Sequence, residues 1–436
     1  MIWIYRILFL PLLLLAAPYY LWRMRRRGGY AESFSHRFGG TDALPPKVAG
    51  RKRIWLQAVS VGEMLAIAPL LAAFRKEGNT EVYLTTTTST GYKLAKEKYG
   101  ALTIGIGYFP LDFWFFSARA WGRVQPDLCI LMEGERWPEH VHQAASRGVP
   151  VLSVNARLSD RSFRRSMRFN FLLRPLSRGI TKILCASRRD EQRFKSLGFA
   201  PEILQTTGNL KLDVDIPPLS ATELEQLRQA LGLGGGLILL GSSTWPGEEE
   251  ALVTALKLAR SKGLSVSLLL VPRHAERREE LRGLLEKSGL TFHFRSEGPF
   301  FAKASQGNSN ANTSVDVAVG DTTGELRKFT QLADLAFIGK SLAPHDGGQT
   351  PVEAALLGKP ALHGPHMTNF REIIRTLTEA EAVRKVETHE QLVHVTLELL
   401  QDEIRRAELI DAARLWTAGN RGATERTLAV IRELLG

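Results

Sequence analysis

The feature that most constrains this chain is an alternation of short β-rich runs with helical stretches, and it occurs twice. In the first half the strand candidates are 54–59, 82–86, Leu128–Met132, 149–154 and 182–186, with helical stretches such as 64–77 and 139–147 between them. In the second half they are 237–241, 265–271, 315–319, 335–339 and 360–363. Strands that alternate with helices predict a parallel sheet covered on both faces. Between the halves the text changes to DVDIPPLS, where Pro217 and Pro218 break any helix. A chain of 436 residues also exceeds what one hydrophobic core sustains. The expected organisation is an N-terminal segment 1–27, a first domain 28–212, a linker 213–222, a second domain 223–415, and a C-terminal helix 416–436 that packs back on the first domain. The stretch 403–435 reads as helical, and SQGNSNANTS at 305–314 reads as a polar, mobile loop.

Doubly wound domains bind ligands beyond the carboxyl ends of their strands, here in a cleft between the two. Residues just after each strand are therefore the candidates. Glu63 follows the first strand in Ser60-Val61-Gly62-Glu63. It can serve as a general base, or simply favour the first turn of a helix. Glu133 and Glu135 follow Leu128–Met132 in EGERWP. Two acids at the end of an apolar strand are costly unless used or paired, and Glu135 can pair with Arg136. Lys211, in Gly208-Asn209-Leu210-Lys211 beside the linker, can reach a phosphate or a developing charge. In the second half the corresponding segments are Pro272-Arg273-His274, Gly320-Asp321-Thr322-Thr323-Gly324-Glu325 and Gly347-Gly348-Gln349-Thr350-Pro351-Val352-Glu353. Paired glycines before a helix let backbone N–H groups and the helix dipole approach a phosphate. Glu353, one turn further, can accept ribose hydroxyls. No GxxxxGK[ST] motif is present, which disfavours ATP hydrolysis.

Residues 7–22 read ILFLPLLLLAAPYYLW, and Arg23, Arg25, Arg26 and Arg27 follow at once. A signal peptide carries its charge before the apolar run, so a retained anchor is expected. The run barely reaches the roughly 20 residues a span needs, and Pro11 and Pro18 disfavour a straight helix. An in-plane or tilted segment competes with a full span, and a buried helix of the first domain is a third reading. The arginines belong on the cytoplasmic side, with Tyr19, Tyr20 and Trp22 at the headgroups.

Lys and Arg number 57 against 45 Asp and Glu, a net charge of +12, which favours anionic partners. From 161 to 195 there are eleven basic residues against two acids. Arg161, Arg164, Arg165 and Arg168 share one helical face by spacing. That face is either simply solvated or a contact for anionic ligands. Cys129 and Cys185 lie in apolar runs and read as core packing, and no Cys/His cluster has zinc spacing.

Taken together these segments match a known family. AVSVGE at 58–63, EGERWP at 133–138, NARLS at 155–159, GNLK at 208–211, PRH at 272–274, GDTTGEL at 320–326, and the 347–353 loop followed by Gly364-Pro365-His366 and Asn369-Phe370 resemble, in order, the 3-deoxy-D-manno-octulosonic acid (Kdo) transferases of Gram-negative bacteria. The resemblance implies a GT-B-like α/β fold: two doubly wound Rossmann-type domains facing a cleft, an acceptor domain and a CMP-sugar donor domain, plus the membrane-anchor segment. It implies an inverting transfer of Kdo from CMP-Kdo to a lipid A precursor, with no metal and no cofactor. It assigns Glu63 as the base and Glu133 and Lys211 as transition-state stabilisers. It assigns Pro272, Arg273, Thr323, Gly324, Glu325, Thr350, Pro351, Val352 and Glu353 to the donor. The sequence departs from the family at Trp245, where His is usual, at Thr323 for Met, and at Thr350 for Asn. Arg161, Arg164, Arg165 and Arg168 would meet the phosphorylated acceptor or anionic inner-leaflet lipid at the cytoplasmic face of the inner membrane. Nucleic acid is not an expected partner. Two other readings stand beside this one: a UDP-sugar 2-epimerase-like enzyme, and an inactive membrane-bound lipid A-binding protein.

Overall fold

The computed structural model describes residues 1–27, 32–300 and 314–436. The polar stretch read as a loop at 305–314 therefore lies, but for Ser314, outside the described residues. The chain divides into two compact units, Met1–Asp215 with Asn420–Gly436, and Ile216–Gly419.

The first unit is built on seven parallel strands: β1 (Lys52–Gln57), β2 (Thr80–Thr86), β3 (Gly105–Tyr108), β4 (Leu128–Met132), β5 (Val151–Ala156), β6 (Lys182–Cys185) and β7 (Leu204–Thr206). Their order is β3-β2-β1-β4-β5-β6-β7, and every pairing is parallel. The chain winds outward from β1 through β2 to β3, then crosses to the other side of β1 for β4. The point of reversal lies between β1 and β4, where a doubly wound sheet opens a crevice at its carboxyl edge.

Side chains alternate across this sheet. Ile54, Leu56, Val82, Leu84, Ile130 and Leu152 enter one buried cluster, while Trp55, Tyr83, Cys129, Leu131, Val151 and Cys185 enter the other. Both cysteines are thus core residues. The C-terminal helix Ala423–Leu435 packs on the first cluster through Leu428, Val430 and Ile431. Asp213 fixes its start by accepting the Gly422 N–H at 2.8 Å. The helical stretch expected over 403–435 is two helices, Glu403–Asn420 and Ala423–Leu435, parted at Gly422 in a left-handed conformation, φ 89°.

The second unit repeats the plan with β8 (Leu237–Thr244), β9 (Val266–Pro272), β10 (Phe292–Phe294), β11 (Val317–Val319), β12 (Leu335–Ile338), β13 (Ala361–His363) and β14 (Arg384–Lys385). The order is β10-β11-β9-β8-β12-β13-β14, all parallel. Here the reversal lies between β8 and β12.

The N-terminal helix Ile2–Arg27 is continuous through Pro11 and Pro18. Each proline removes one N–H donor, so only the carbonyls four residues earlier lose a partner. Leaving the helix among so many apolar side chains would strand more polar groups than the two prolines do. Residues Ile2–Trp22 are long and apolar enough to cross a membrane, and none of that stretch is buried. It is therefore not a core helix of the first unit.

Candidate active site

The loop after β1 begins a short helix, Val61–Ala66, with Ser60 as its N-cap. The Ser60 hydroxyl accepts the Glu63 N–H at 3.2 Å. The Glu63 carboxylate reaches back to accept the Val59 N–H at 2.8 Å and the Ser60 hydroxyl at 2.9 Å. This reciprocal cap fixes the side-chain rotamer and buries the carboxyl to 6% exposure. The two readings of Glu63, helix-start acid and base, therefore coexist in one side chain. Burial pushes its pKa above the usual carboxylate range. The neighbouring Glu133 adds to that, while the Val59 N–H, the Ser60 hydroxyl and Lys211 pull it down.

Glu133 ends β4 with a left-handed backbone, φ 53°, and Gly134 follows at φ 84°. This double turn re-aims the chain directly at the strand end. Lys211 Nζ donates to Glu133 Oε1 at 2.6 Å. Asn155 Nδ2 approaches the same oxygen at 3.4 Å, and Arg157 stands 3.7 Å from it. A methyl group at Gly62 would lie 3.8 Å from Lys211 Nζ, so the ammonium lies directly against the first turn that carries Glu63. Three loops, after β1, β4 and β7, thus deliver Glu63, Glu133 and Lys211 to one place beside the sheet's point of reversal.

Two residues complete this cluster without a role assigned from sequence. Asn155 leaves β5 at φ 54° and accepts the Leu210 N–H at 3.1 Å, tying the Lys211 turn to the strand. Asn209 in turn caps Lys211, accepting its N–H at 3.1 Å. The only signal in the sequence was that Asn155 opens NARLS and Asn209 sits in GNLK. Arg136 does not pair with Glu135 among the described residues; its guanidinium donates to Ser166 Oγ at 3.2 Å. Among the described residues Glu135 has no cation partner, and burial together with Glu63 and Glu133 raises its pKa to about 7.

Arg161, Arg164, Arg165 and Arg168 are all exposed on the helix Asp160–Arg168, which follows β5. Met167, Phe169 and Phe171 are exposed beside them, Phe171 by 72%. The basic face is therefore interleaved with apolar side chains.

In the second unit the candidates gather at the carboxyl ends of β8, β9, β11 and β12. Glu248, fully buried at the start of the helix Glu248–Ser261, accepts four backbone N–H groups: Trp245 at 3.0 Å, Lys340 and Ser341 at 2.8 Å, and Leu342 at 3.2 Å. It clasps the loops after β8 and β12 across the reversal. Sequence reasoning passed over Glu248, because the first of three consecutive acids at a helix start looks like an ordinary dipole partner. Trp245 lies among His274, His345 and Lys340, with ring centroids 5.3 and 5.2 Å from the histidines and Lys340 Nζ at 5.0 Å. Its indole N–H is buried with no hydrogen-bond partner among the described residues.

Pro272 closes β9, and Arg273 beyond it is exposed, its N–H bonded to the Thr244 carbonyl at 3.2 Å. Thr323 and Gly324 form the turn after β11, with Gly324 at φ 89°. Glu325 follows, held by Thr322 at 2.5 Å and Arg295 at 3.3 Å. Burial would raise its pKa, but those hydrogen bonds outweigh it and leave the carboxyl below the usual range.

The glycine pair behaves differently from the expectation. Gly347 N–H goes to the His366 carbonyl and Gly348 N–H to the Lys340 carbonyl, at 3.1 and 3.0 Å. Neither is available to a phosphate. Gly348 is held at φ 67°, and a side chain there would also meet Met367 Sδ at 2.3 Å, so backbone conformation and close packing both demand glycine. The following helix, Val352–Leu356 after Thr350 and Pro351, has only five residues and a correspondingly small dipole. Thr350 Oγ1 accepts the Val352 N–H at 3.2 Å. Glu353 faces Arg327 at 3.7 Å through one oxygen, while its other oxygen is buried without a hydrogen-bond partner among the described residues.

The comparisons agree with this layout. A family profile described as 3-deoxy-D-manno-octulosonic-acid transferase (kdotransferase) matches residues 32–214, which hold the whole Glu63–Glu133–Lys211 cluster. Among solved structures, a UDP-N-acetylglucosamine 2-epimerase aligns over 89% of this chain and 96% of its own, with TM-score 0.57 and 14% identity. A glycosyltransferase from Rickettsia africae aligns over 88% and 99%, with TM-score 0.56 and 13% identity. At such identities the likeness is one of fold, the GT-B-like pair of doubly wound units. Closer in sequence, the 3-deoxy-D-manno-octulosonic acid transferase of Bordetella pertussis is 34% identical over 97% of both chains. That of Haemophilus influenzae is 32% identical over 98% of this chain and 95% of its own. With relatives matched end to end at this level, and the cluster built from the segments that carry the match, the chain belongs to the 3-deoxy-D-manno-octulosonic acid transferase family.

Proposed function

We propose that the chain is an inverting glycosyltransferase that moves Kdo from CMP-Kdo to a hydroxyl of a lipid A precursor, with Glu63 as the single base. The observation that carries this reading is the Glu63 carboxyl, buried and oriented by its own helix cap, beside the Glu133–Lys211 pair. In the reaction the acceptor oxygen attacks the anomeric carbon of Kdo, the bond from that carbon to the phosphate oxygen breaks, and CMP departs. Inversion requires one attack from the face opposite the leaving group, hence one base to take the hydroxyl proton. A carboxylate with a raised pKa suits that role better than an ordinary solvated one. Glu133 suits stabilisation of positive character on the sugar ring. Lys211 suits the negative charge that develops as the phosphate leaves, and Glu133 keeps it in place until then.

The second unit offers the means to hold the nucleotide. Arg273 is an exposed cation at the end of β9, suited to the phosphate. Thr323, Gly324 and Glu325 line the turn after β11, while Pro272 and Thr350-Pro351-Val352 shape the neighbouring ends. The unpaired oxygen of Glu353 matches ribose hydroxyls. The exposed Arg161, Arg164, Arg165 and Arg168, interleaved with Phe169 and Phe171, suit a phosphorylated lipid acceptor or an anionic leaflet, at roughly 1 kcal/mol per residue near such a surface.

The test is incubation with CMP-Kdo and a lipid A precursor, with the product read by mass. The expected result is an acceptor heavier by whole Kdo residues, with release of CMP. Failure to consume CMP-Kdo, with turnover of a UDP-sugar instead, would support an epimerase-like activity and overturn this reading.

A further inference from the structure

The N-terminal helix is not a free tether. Its first turn is locked onto the unit that carries Glu63. The Tyr5 hydroxyl donates to Asp112 Oδ2 at 2.6 Å. The Arg6 guanidinium forms a fork on Glu139, at 2.8 and 2.9 Å. Phe9 stacks on Phe113 with ring centroids 6.3 Å apart. The receiving groups are themselves built in. Asp112 accepts the N–H groups of Glu139 and His140 at 3.0–3.2 Å. Glu139 is wholly buried and takes Gln143 as its other partner at 2.7 Å.

The far end of the helix is tied to the same unit. It ends at Arg27, and by Glu32 and Ser33 the chain is already fixed there: Glu32 pairs with Lys96, and the Ser33 and Tyr92 hydroxyls share a hydrogen bond at 2.9 Å. Six peptide steps, from Arg27 to Ser33, reach at most about 22 Å. The hydrocarbon core of a bilayer is about 30 Å thick. A helix crossing it would leave Tyr5 and Arg6 on one side and Arg27 on the other, and the steps to Ser33 could not bring the chain back.

We propose that residues Ile2–Trp22 do not span the bilayer but bed along one leaflet, as an in-plane helix clasped at its first turn by Asp112 and Glu139. This goes beyond the transfer reaction and rests only on the reading that the apolar helix meets lipid. The occupant of the helix surface is a lipid leaflet, for three reasons. Exposed apolar side chains run along the full length on more than one face, Ile4, Leu8, Leu12, Leu15, Tyr19 and Trp22 on one and Ile7, Leu14 and Leu21 on another, Leu15 by 80%. The surface continues onto the unit itself, where Trp114 and Phe115 are also exposed and Arg6 lies 5.7 Å from the Trp114 ring. The arginine-rich end, with the Arg26 guanidinium 5.5 Å over Trp22, complements anionic headgroups.

The test uses the full-length chain reconstituted in vesicles of phosphatidylethanolamine and phosphatidylglycerol. Single cysteines replace Ile4, Leu12 or Tyr19, which share one face of the helix, each labelled with a small fluorophore; Cys129 and Cys185 are buried in strands and stay unlabelled. Depth is read by lipids carrying quenchers at known levels. The expected result is one shallow depth for all three labels, within about 10 Å of the headgroups. A Leu12 label near the bilayer midplane, about 15 Å deep, with the other two at opposite or equal interfaces, would overturn the in-plane arrangement. Failure of the protein to sediment with the vesicles at all would overturn the lipid reading itself, and the proposal with it.

Discussion

At the scale of single residues, the proposed base of the first unit is one carboxyl, Glu63, whose environment can be tuned from two sides. Glu133 raises its pKa and Lys211 lowers it, and the two are bonded to each other at 2.6 Å. As a base, Glu63 works only when deprotonated, so turnover should rise with pH through its pKa. Replacing Glu133 by Gln removes a negative neighbour and should move that acid limb to lower pH. Replacing Lys211 by Met removes a positive one and should move it to higher pH. Both variants will be slow, but the shift is read from the shape of the kcat profile; equal profiles would remove Glu63 from the base role. Glu63→Ala should cost at least about a hundredfold in kcat, with CMP affinity, measured by calorimetry, unchanged. It should also cost about 1 kcal/mol of stability, because the helix cap goes with it. These acids stood out because each lies beyond a strand, Glu133 directly at the end of an apolar one, where a charge needs a reason. Asn155 and Asn209 did not, since a side-chain amide that ties two loops together leaves no mark in spacing.

At the scale of elements, what decides the second unit is how separate loops are fastened to one another. Glu248 performs that task for the ends of β8 and β12 by accepting four backbone N–H groups in a fully buried position. Glu248→Ala should strand several of these donors and cost about 3–5 kcal/mol, at roughly 1–3 kcal/mol for each buried group left unpaired. Urea unfolding would show this as a lower midpoint with an unchanged slope. A loss below about 1 kcal/mol would mean that water replaces the carboxylate and the clasp is dispensable. The central strands were visible in the sequence as apolar runs bounded by turn residues. The edges were not: β3 carries two glycines in four residues, and β14 has only two residues. Gly107 is needed because a methyl group there would lie 2.2 Å from the Tyr83 hydroxyl, a constraint set by β2 rather than by β3 itself. The Gly347–Gly348 pair shows the converse error. A glycine pair before a helix looks like a phosphate loop, but here the N–H groups close the loop on Lys340 and His366, and the positive φ of both residues, with packing of Gly348 against Met367, explains the residue type.

At the scale of the whole chain, the doubled strand–helix pattern was enough to read two α/β units, because that pattern is local and repeated. The attachment of the N-terminal helix was not readable, because Arg6 and its partner Glu139 are 133 positions apart and Arg6 sits just ahead of the apolar run. That attachment changes what truncation should do. A deletion of residues 1–22 looks, from sequence, like the removal of an anchor that leaves a soluble, intact protein. In the structure it removes Arg6 from a carboxylate with no solvent exposure and leaves Glu139 with Gln143 alone, while Asp112 loses the Tyr5 hydroxyl. Removing one partner of a buried ion pair costs about 3–5 kcal/mol, because the remaining charge stays desolvated. The truncated chain should therefore melt well below the full-length protein in detergent. The cause can be separated from a general loss of contacts by neutralising the orphan: Glu139→Gln in the truncated chain should recover a large part of the loss, whereas the same change in the full-length chain should destabilise it by leaving Arg6 unpaired. If Glu139→Gln lowers the melting temperature equally in both backgrounds, the helix and the unit are energetically independent, and the first turn is no clasp.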